Sequence, residues 1–349
     1  MKKTLFTLIL LAFVQQGWAQ TMGQYTERLD SIVVRHKENP QSDEKQSFFY
    51  NDQGRIRQIN YYANWDNTGW VLTNKREYYQ NAAGKDTLLL IYNLSKDVWK
   101  LTARQRFLYD DKGLLTSEYW YNEDGGIFQN EYSYDEEGRM THSAYYSGRN
   151  GERKLRSAFR YTYDSRGHLI TISGGAHPDE QNKSVLRYDS QGRLVARYDS
   201  TNNGTREFRE WRSRKYTYQD SLLRNEMQVL STIDHGKVDQ IKSEKRYDED
   251  GDLVEDHRIR REKTLEDGWG QSQLYREEEL SQLQWDSSKT YSYLYDKTVS
   301  RDSVCGLYFL DGEDSPQFQH KLLKERFQFD DEDVDYESET TYYYSPLHE

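Results

Sequence analysis

Cysteine is almost missing from this chain of 349 residues; Cys305 stands alone, and one thiol cannot form an internal disulfide. Proline occurs only 4 times. No apolar run past the N-terminal segment is long enough to cross a bilayer as a helix, so no transmembrane helix is expected. Positive charge is also in deficit. Against 59 Asp and Glu there are 48 Lys and Arg, and a formal charge of −11 has the wrong sign for a phosphate-binding footprint. Nucleic acid is therefore excluded as a partner. Catalytic signatures are missing too: there is no GxSxG, no phosphate loop and no GxGxxG, and the 8 histidines include no HExxH or HxH pair. Carboxylates are plentiful, but no pattern selects two of them as a glycosidase pair. Asp248, Asp250, Asp252 and Asp256 suggest calcium at first sight, yet Gly251 comes too early for an EF-hand and no Glu closes the loop. Cys305, in the apolar stretch VCGLYF, reads as a buried inert thiol. No enzyme, metal or cofactor is expected.

The N-terminus has the three parts of an export signal. Lys2 and Lys3 precede the apolar run Thr4 to Val14, and Gly17-Trp18-Ala19 forms a small-x-small cleavage site. Cleavage after Ala19 is expected, with the mature chain starting at Gln20. The protein is thus assigned to the periplasm, cell surface or extracellular space. Hydrophobic residues make up 35% of the chain, and that figure includes 30 tyrosines. So little aliphatic bulk cannot fill a deep core, while so many aromatics do not fit disorder. Sheet faces covered by tyrosine and by long charged side chains reconcile the two.

An internal repeat supplies those sheets. The pattern Tyr-[Asp/Asn]-x-x-Gly occurs 7 times, from Tyr50, Tyr109, Tyr121, Tyr134, Tyr163, Tyr188 and Tyr247. Degenerate copies start at Tyr79, Tyr198, Tyr218, Tyr295 and Phe329. Read as one series, Tyr50, Tyr79, Tyr109, Tyr134, Tyr163, Tyr188, Tyr218 and Tyr247 are spaced by 25 to 30 residues, a unit of about 28. Asp opens a type I turn and caps it with its side chain, and the glycine supplies the positive φ that closes a bulged hairpin. The turn glycines are Gly54, Gly113, Gly138, Gly167, Gly192 and Gly251. In this geometry Tyr50 faces Ile56, Tyr109 faces Leu115, Tyr134 faces Met140, Tyr163 faces Leu169, Tyr188 faces Leu194 and Tyr247 faces Leu253. Such aromatic–aliphatic pairs contribute roughly 0.2–1 kcal/mol each over Ala–Ala. On the opposite face Asp135 meets Arg139 and Asp189 meets Arg193. Strict alternation puts Leu155, Phe159, Tyr161 and Tyr163 on one face and Lys154, Arg156 and Arg160 on the other. It likewise groups Leu101 with Ala103, Phe107 and Tyr109. The fold class is all-β: a meander of about twenty antiparallel strands in an extended or curled sheet, or a closed one. The expected division is a signal peptide at 1–19, a lead-in at 20–47 and the repeat domain at 48–349.

YNDQGRI, YDEEGRM, YDSRGHL and YDSQGRL resemble the tyrosine–aspartate (YD, Rhs-type) repeat. Together with NWDNTGWVL at Asn64, they are similar to secreted repeat proteins of the Bacteroidetes. The resemblance implies a β-shell at a cell surface and names no activity. The functional expectation is a noncatalytic scaffold or binding surface for polysaccharide or another envelope protein. Trp65, Trp70, Trp99 and Trp120, near predicted strand ends, are the candidates for stacking on sugar rings. The main alternative is a porin-like barrel, since alternating ten-residue strands are also its signature. Placing Arg212, Arg214, Lys245 and Glu325 on a lipid-facing tyrosine side argues against it, and inverting the barrel is worse, because the other face then carries Lys154, Arg156 and Arg160. A carbohydrate-active enzyme ranks third.

Overall fold

The computed structural model describes residues 25–347 apart from 66–68, 150, 178–179, 203–207, 220–221, 233–236, 265–283, 286, 311–317 and 332–333. The signal-peptide site lies outside the described residues. The described chain is built of strands, most of them joined by short connections. They are β1 (Glu27–His36), β2 (Glu44–Tyr50), β3 (Ile56–Ala63), β4 (Val71–Gln80), β5 (Asp86–Ser95), β6 (Val98–Tyr109) and β7 (Leu115–Asn122). Next come β8 (Gly126–Tyr134), β9 (Met140–Arg149), β10 (Lys154–Tyr163), β11 (Leu169–His177), β12 (Glu180–Tyr188), β13 (Leu194–Thr201) and β14 (Arg209–Gln219). The last are β15 (Leu222–Thr232), β16 (Lys237–Tyr247), β17 (Leu253–Thr264), β18 (Ser287–Ser300), β19 (Val304–Cys305), β20 (His320–Asp331) and β21 (Val334–Pro346). A longer stretch between β18 and β20 holds the 3-10 turns Arg301–Ser303 and Leu307–Leu310.

Each strand pairs antiparallel with its successor, β18 passing over the two-residue β19 to reach β20. β1, within the stretch read as a lead-in, pairs with β2 on one side and β21 on the other. The sheet is therefore a closed barrel. Closure removes the free edges that would otherwise pair with another molecule. Connections after β2, β4, β6, β8, β10, β12, β14 and β16, and the one from β18 to β20, form one end, here the turn end, where the Tyr-Asp turns gather. Connections after the odd-numbered strands β1 to β17, and the one from β20 to β21, form the loop end.

The turns are set by local chemistry. Gly54, Gly84, Gly113, Gly138, Gly167, Gly192 and Gly251 all have φ between 73° and 88°. Asp164 shows the pattern: its Oδ1 accepts the backbone N–H of Arg166 and of His168, at 2.9 and 2.8 Å. All six tyrosine–aliphatic register pairs are present. Five copies are placed differently from the sequence reading. Tyr295 lies inside β18, which runs on to Ser300, and Phe329 stands near the loop-end terminus of β20. The turn assigned to Tyr79 is built one residue later, with Gln80 opposite Asp86 and Asn81 as the capping residue. Tyr121 precedes a turn at the loop end. Tyr198 is no turn at all but a mid-strand residue of β13.

A closed sheet has an inside, and burial identifies it. Along β10, Phe159, Tyr161 and Tyr163 are partly or fully buried, whereas Ala158, Arg160 and Thr162 are exposed. The tyrosine face points inward. This corrects the first half of the argument against a porin, because Arg212, Arg214, Lys245 and Glu325 share the inward rows rather than facing the surroundings; of the residues named for the inverted barrel, Arg160 does face outward.

The alternation is also not strict. β4, β6, β10 and β14 each carry one extra residue, namely Thr73, Thr102, Arg156 and Trp211. Each such β-bulge falls seven residues before the strand's last inward turn residue, Gln80, Tyr109, Tyr163 or Tyr218. A bulge reverses which face the following side chains take. Leu101 and Leu155 consequently sit outside, 42% and 50% exposed, instead of joining the tyrosines. Lys154 moves the other way: it pairs with Ser147, in the inward row of Ser143 and Tyr145.

Aliphatic residues are concentrated where the barrel closes. Leu29, Ile32, Phe48, Ile56, Ile59, Leu322 and Tyr342 pack with Val304, Leu307 and Phe318 from the connection between β18 and β20. That connection folds over the turn end. Val304–Cys305 pairs in parallel with Glu27–Arg28, and Cys305 Sγ donates to the Gly54 carbonyl at 2.7 Å.

Candidate functional site

Hydrogen bonds between neighbouring hairpins encircle the turn end. Tyr109 Oη donates to the Asp86 carbonyl at 2.8 Å, Tyr134 to Leu115 at 2.7 Å and Tyr163 to Met140 at 2.8 Å. Tyr188 reaches Leu169 at 2.9 Å, Tyr218 reaches Leu194 at 2.8 Å and Tyr295 reaches Leu253 at 2.8 Å. Tyr50 joins Leu29 at 2.6 Å, and Tyr344 bonds the Leu322 carbonyl, so the pattern crosses the closure. In most of these the acceptor is the first residue after the preceding turn. Where Gln80 stands in place of tyrosine, its Nε2 makes the same contact with Ile56, at 3.0 Å. The repeat tyrosine is thus both the inward cross-strand partner within its hairpin and the clasp to the hairpin before.

Midway along the inner wall the groups become ionic. Asp199, 3% exposed, accepts from Arg197 at 2.9 Å, Arg212 at 2.6 Å and Ser184 at 2.5 Å. Burial alone would raise its pKa, but these cations and hydrogen bonds hold it below the usual carboxylate range. Asp256, 1% exposed, is matched by Arg258 at 2.8 and 2.9 Å and by Ser243 at 2.6 Å. These buried pairs answer each other, and none is arranged as a nucleophile beside a base.

The loop end carries a cavity of about 630 Å³ between the β7–β8 and β9–β10 connections. Phe128 and Ser147 border it from the inward rows, and Arg149, Arg153, Lys154 and Arg156 border it from the second hairpin.

The comparisons follow the repeat. Residues 19–213, more than half of the chain, match the Teneurin YD-shell. The chain belongs to that family. Among solved structures this YD shell is similar to TcdB2-TccC3, with 12% identity over 88% of the chain, 15% of the other, and a TM-score of 0.38. A porin-like protein from Bacteroides uniformis shares 9% identity, with 91% of this chain and 96% of that one covered and a TM-score of 0.32. A protein of unknown function from Bacteroides fragilis shares 13% identity over 39% of this chain and 87% of its own, with a TM-score of 0.16. The YD shell spans only a small part of TcdB2-TccC3. No curated protein matches the chain.

Within the YD shell the tryptophans do not form one platform. Trp65, 62% exposed, and Trp70 flank the β3–β4 connection at the loop end. Trp99 shares the Lys75 ammonium with Tyr92, which lies on the outward face. Trp120 is opposite Phe128 on the inward face, and its Nε1 donates to Asn122 at 2.6 Å. The acidic turn read as calcium-like is filled by a side chain. Lys297 Nζ contacts Asp248 at 2.5 Å, Asp250 at 3.3 Å and Asp252. His320 completes the group, its Nδ1 lying 2.7 Å from Asp252. Among the described residues no cluster of His, Cys, Asp and Glu has the arrangement of a metal site. Burial pushes the Cys305 thiol up to about 11, which keeps it protonated and unreactive at neutral pH. The loop-end cavity escaped the sequence reading because strict alternation sends Lys154 outward. Its signal in the sequence was the cation-rich run Arg-Asn-Gly-Glu-Arg-Lys-Leu-Arg at 149–156.

Proposed function

We propose that this YD shell is a noncatalytic exported protein that stands in water and acts as an envelope scaffold with a binding surface for polysaccharide. The observation that carries the reading is the outward face. Arg104, Arg106, Arg160, Lys183, Arg187, Lys215, Glu244, Arg246 and Arg326 are all exposed on strands around the ring. A lipid-facing band would have to be apolar over about 25 Å, and a basic side chain at its midplane costs about 2–4 kcal/mol. The inward ion pairs are what a porin lumen also has, so the barrel reading of a channel keeps one supporting feature and lacks the other. The mature chain from Gln20, expressed without its signal, is expected to purify from the aqueous fraction without detergent and to insert no conductance into planar bilayers. Recovery only in detergent, with discrete channel openings, reverses the assignment. Fractionation of the native host then locates the compartment.

A further inference from the structure

We infer that the loop-end cavity binds an acidic saccharide, a sugar ring bearing a carboxylate or sulfate. This rests on the reading of the barrel as a water-borne binding shell and adds the site and the ligand chemistry. In a chain of net charge −11, this cavity collects four cations, Arg149, Arg153, Lys154 and Arg156, against two lining carboxylates, Asp124 and Glu152. Two of the cations are already occupied. Arg149 pairs with Asp124 at 2.5 Å, and Arg153 pairs with Glu131 at 2.8 Å with its guanidinium 3.6 Å from the Tyr146 ring centre. Lys154 and Arg156 are different: among the described residues neither has an ion-pair partner, and Arg156 Nε donates only to Ser147 Oγ at 2.6 Å. The bulge at Arg156 is what aims them. It carries Lys154 to the register position beside Ser147, so both exposed cations stand on the cavity's rim, open to solvent and to an entering ligand.

The wall is shaped in advance. A Cβ on Gly148 would stand 1.7 Å from the Glu152 carbonyl oxygen, so the hairpin backbone closes to a distance that only glycine allows. Phe128, lying parallel to Tyr145 with centroids 6.3 Å apart, supplies an apolar surface for the C–H face of a pyranose. The Asn122 amide and the Ser147 hydroxyl add neutral groups that can hydrogen-bond sugar hydroxyls. A volume of about 630 Å³ falls within the span of about 300–1,000 Å³ typical of small-ligand sites. An aromatic wall, neutral hydrogen-bonding groups and two free cations together select an anionic sugar over a neutral sugar or a bare anion.

Calorimetric titration of the mature protein with an oligogalacturonate, beside a neutral galactose oligomer of equal length and inorganic sulfate, tests this. Binding of the acidic oligomer alone is expected, weakening as salt is raised. Lys154→Ala with Arg156→Ala should lower its affinity at least about tenfold, which corresponds to about 1.4 kcal/mol. Lys183→Ala with Lys215→Ala, on the outward face, should leave it unchanged. Equal binding of the neutral oligomer, equal loss in both double variants, or no binding by monomeric, β-rich protein overturns the site while leaving the shell reading intact. Protein recovered only in detergent overturns the shell reading instead.

Discussion

A single phenolic hydroxyl decides how one hairpin joins the next. Tyr134→Phe keeps the ring but leaves the part-buried Leu115 carbonyl without its donor, a loss of about 1 kcal/mol. Tyr343→Phe, at an outward position 47% exposed, should stay within about 0.5 kcal/mol of wild type in the same denaturant titration. Equal effects would mean that the inter-hairpin contact contributes nothing. The same burial has a pH signature. Desolvation, reinforced by Asp110 and Glu118, pushes the Tyr134 phenol up to about 12, and burial with Asp86 does the same to Tyr109. In the unfolded chain these phenols ionise near 10, so between about 10 and 12 the folded state holds more protons. Their contribution is complete below pH 10 and is lost as pH rises through that window. Phenolate absorbance should therefore lag behind that of free tyrosine until the far-ultraviolet β signal collapses. Ionisation of the whole tyrosine complement near pH 10 with the β signal intact would refute it. Glycine is the other residue whose role separates into two causes. Gly167 has φ 86°, and its would-be Cβ meets only the flexible Arg139 guanidinium at an ordinary contact distance of 4.0 Å, so Gly167→Val should cost about 1–2 kcal/mol, mainly through backbone strain, and Arg166→Val less. Equal thermal shifts for these two variants would contradict that cause.

At the scale of the element, what was legible in the sequence is what is local. Asp, two free residues and Gly specify a hairpin without reference to the rest of the chain, and the register pairs Tyr163–Leu169 and Tyr188–Leu194 follow from the turn alone. The bulges were not legible, because an extra residue is defined only against a partner strand; Thr102 and Arg156 look like ordinary members of an alternating run. Missing them misplaced Leu101, Leu155 and Lys154 together, and with Lys154 went the cavity. Gln80 was misread for a related reason: the repeat position needs an inward donor of sufficient reach, and tyrosine is only the commonest way to provide it. Asp199 was misread as a turn residue, although its neighbours bind β12, β13 and β14 together. Asp199→Ala should leave Arg197 and Arg212 partly buried and unanswered, at a cost of about 3–5 kcal/mol. Glu255→Ala, which breaks an exposed pair with Arg246, should change stability by less than about 1 kcal/mol. Comparable losses in chemical denaturation would show that the inner ion pairs do not hold the strands.

For the whole molecule, the consequential contact is between strands some 300 residues apart in sequence. β1 and β21 pair from Glu27↔Pro346 to His36↔Ser338, and Lys321 ties both Glu27 and Asp296 into the same region, at 2.8 and 2.9 Å. No repeat motif announces this closure, since β1 carries no Tyr-Asp turn, yet the aliphatic core gathers there rather than around the ring. The distribution makes physical sense. Within the meander each strand is held by its sequence neighbour, so modest tyrosine–aliphatic pairs suffice. The join between β1 and β21 has no short connection to reduce its entropy, and it needs buried apolar area to offset the cost of bringing distant segments together. Deleting residues 20–36 should therefore do more than remove one strand. It strips Leu29 and Ile32 from the core and leaves the backbone edges of β2 and β21 unpaired, and exposed edges of this length template association. The shortened chain should keep a β-rich spectrum, because the hairpins remain locally specified, while eluting as oligomers in size-exclusion chromatography and unfolding at a lower temperature than the full mature chain. A deletion variant that stayed monomeric with an unchanged Tm would show that the barrel does not depend on this closure, and that its stability resides in the repeats alone.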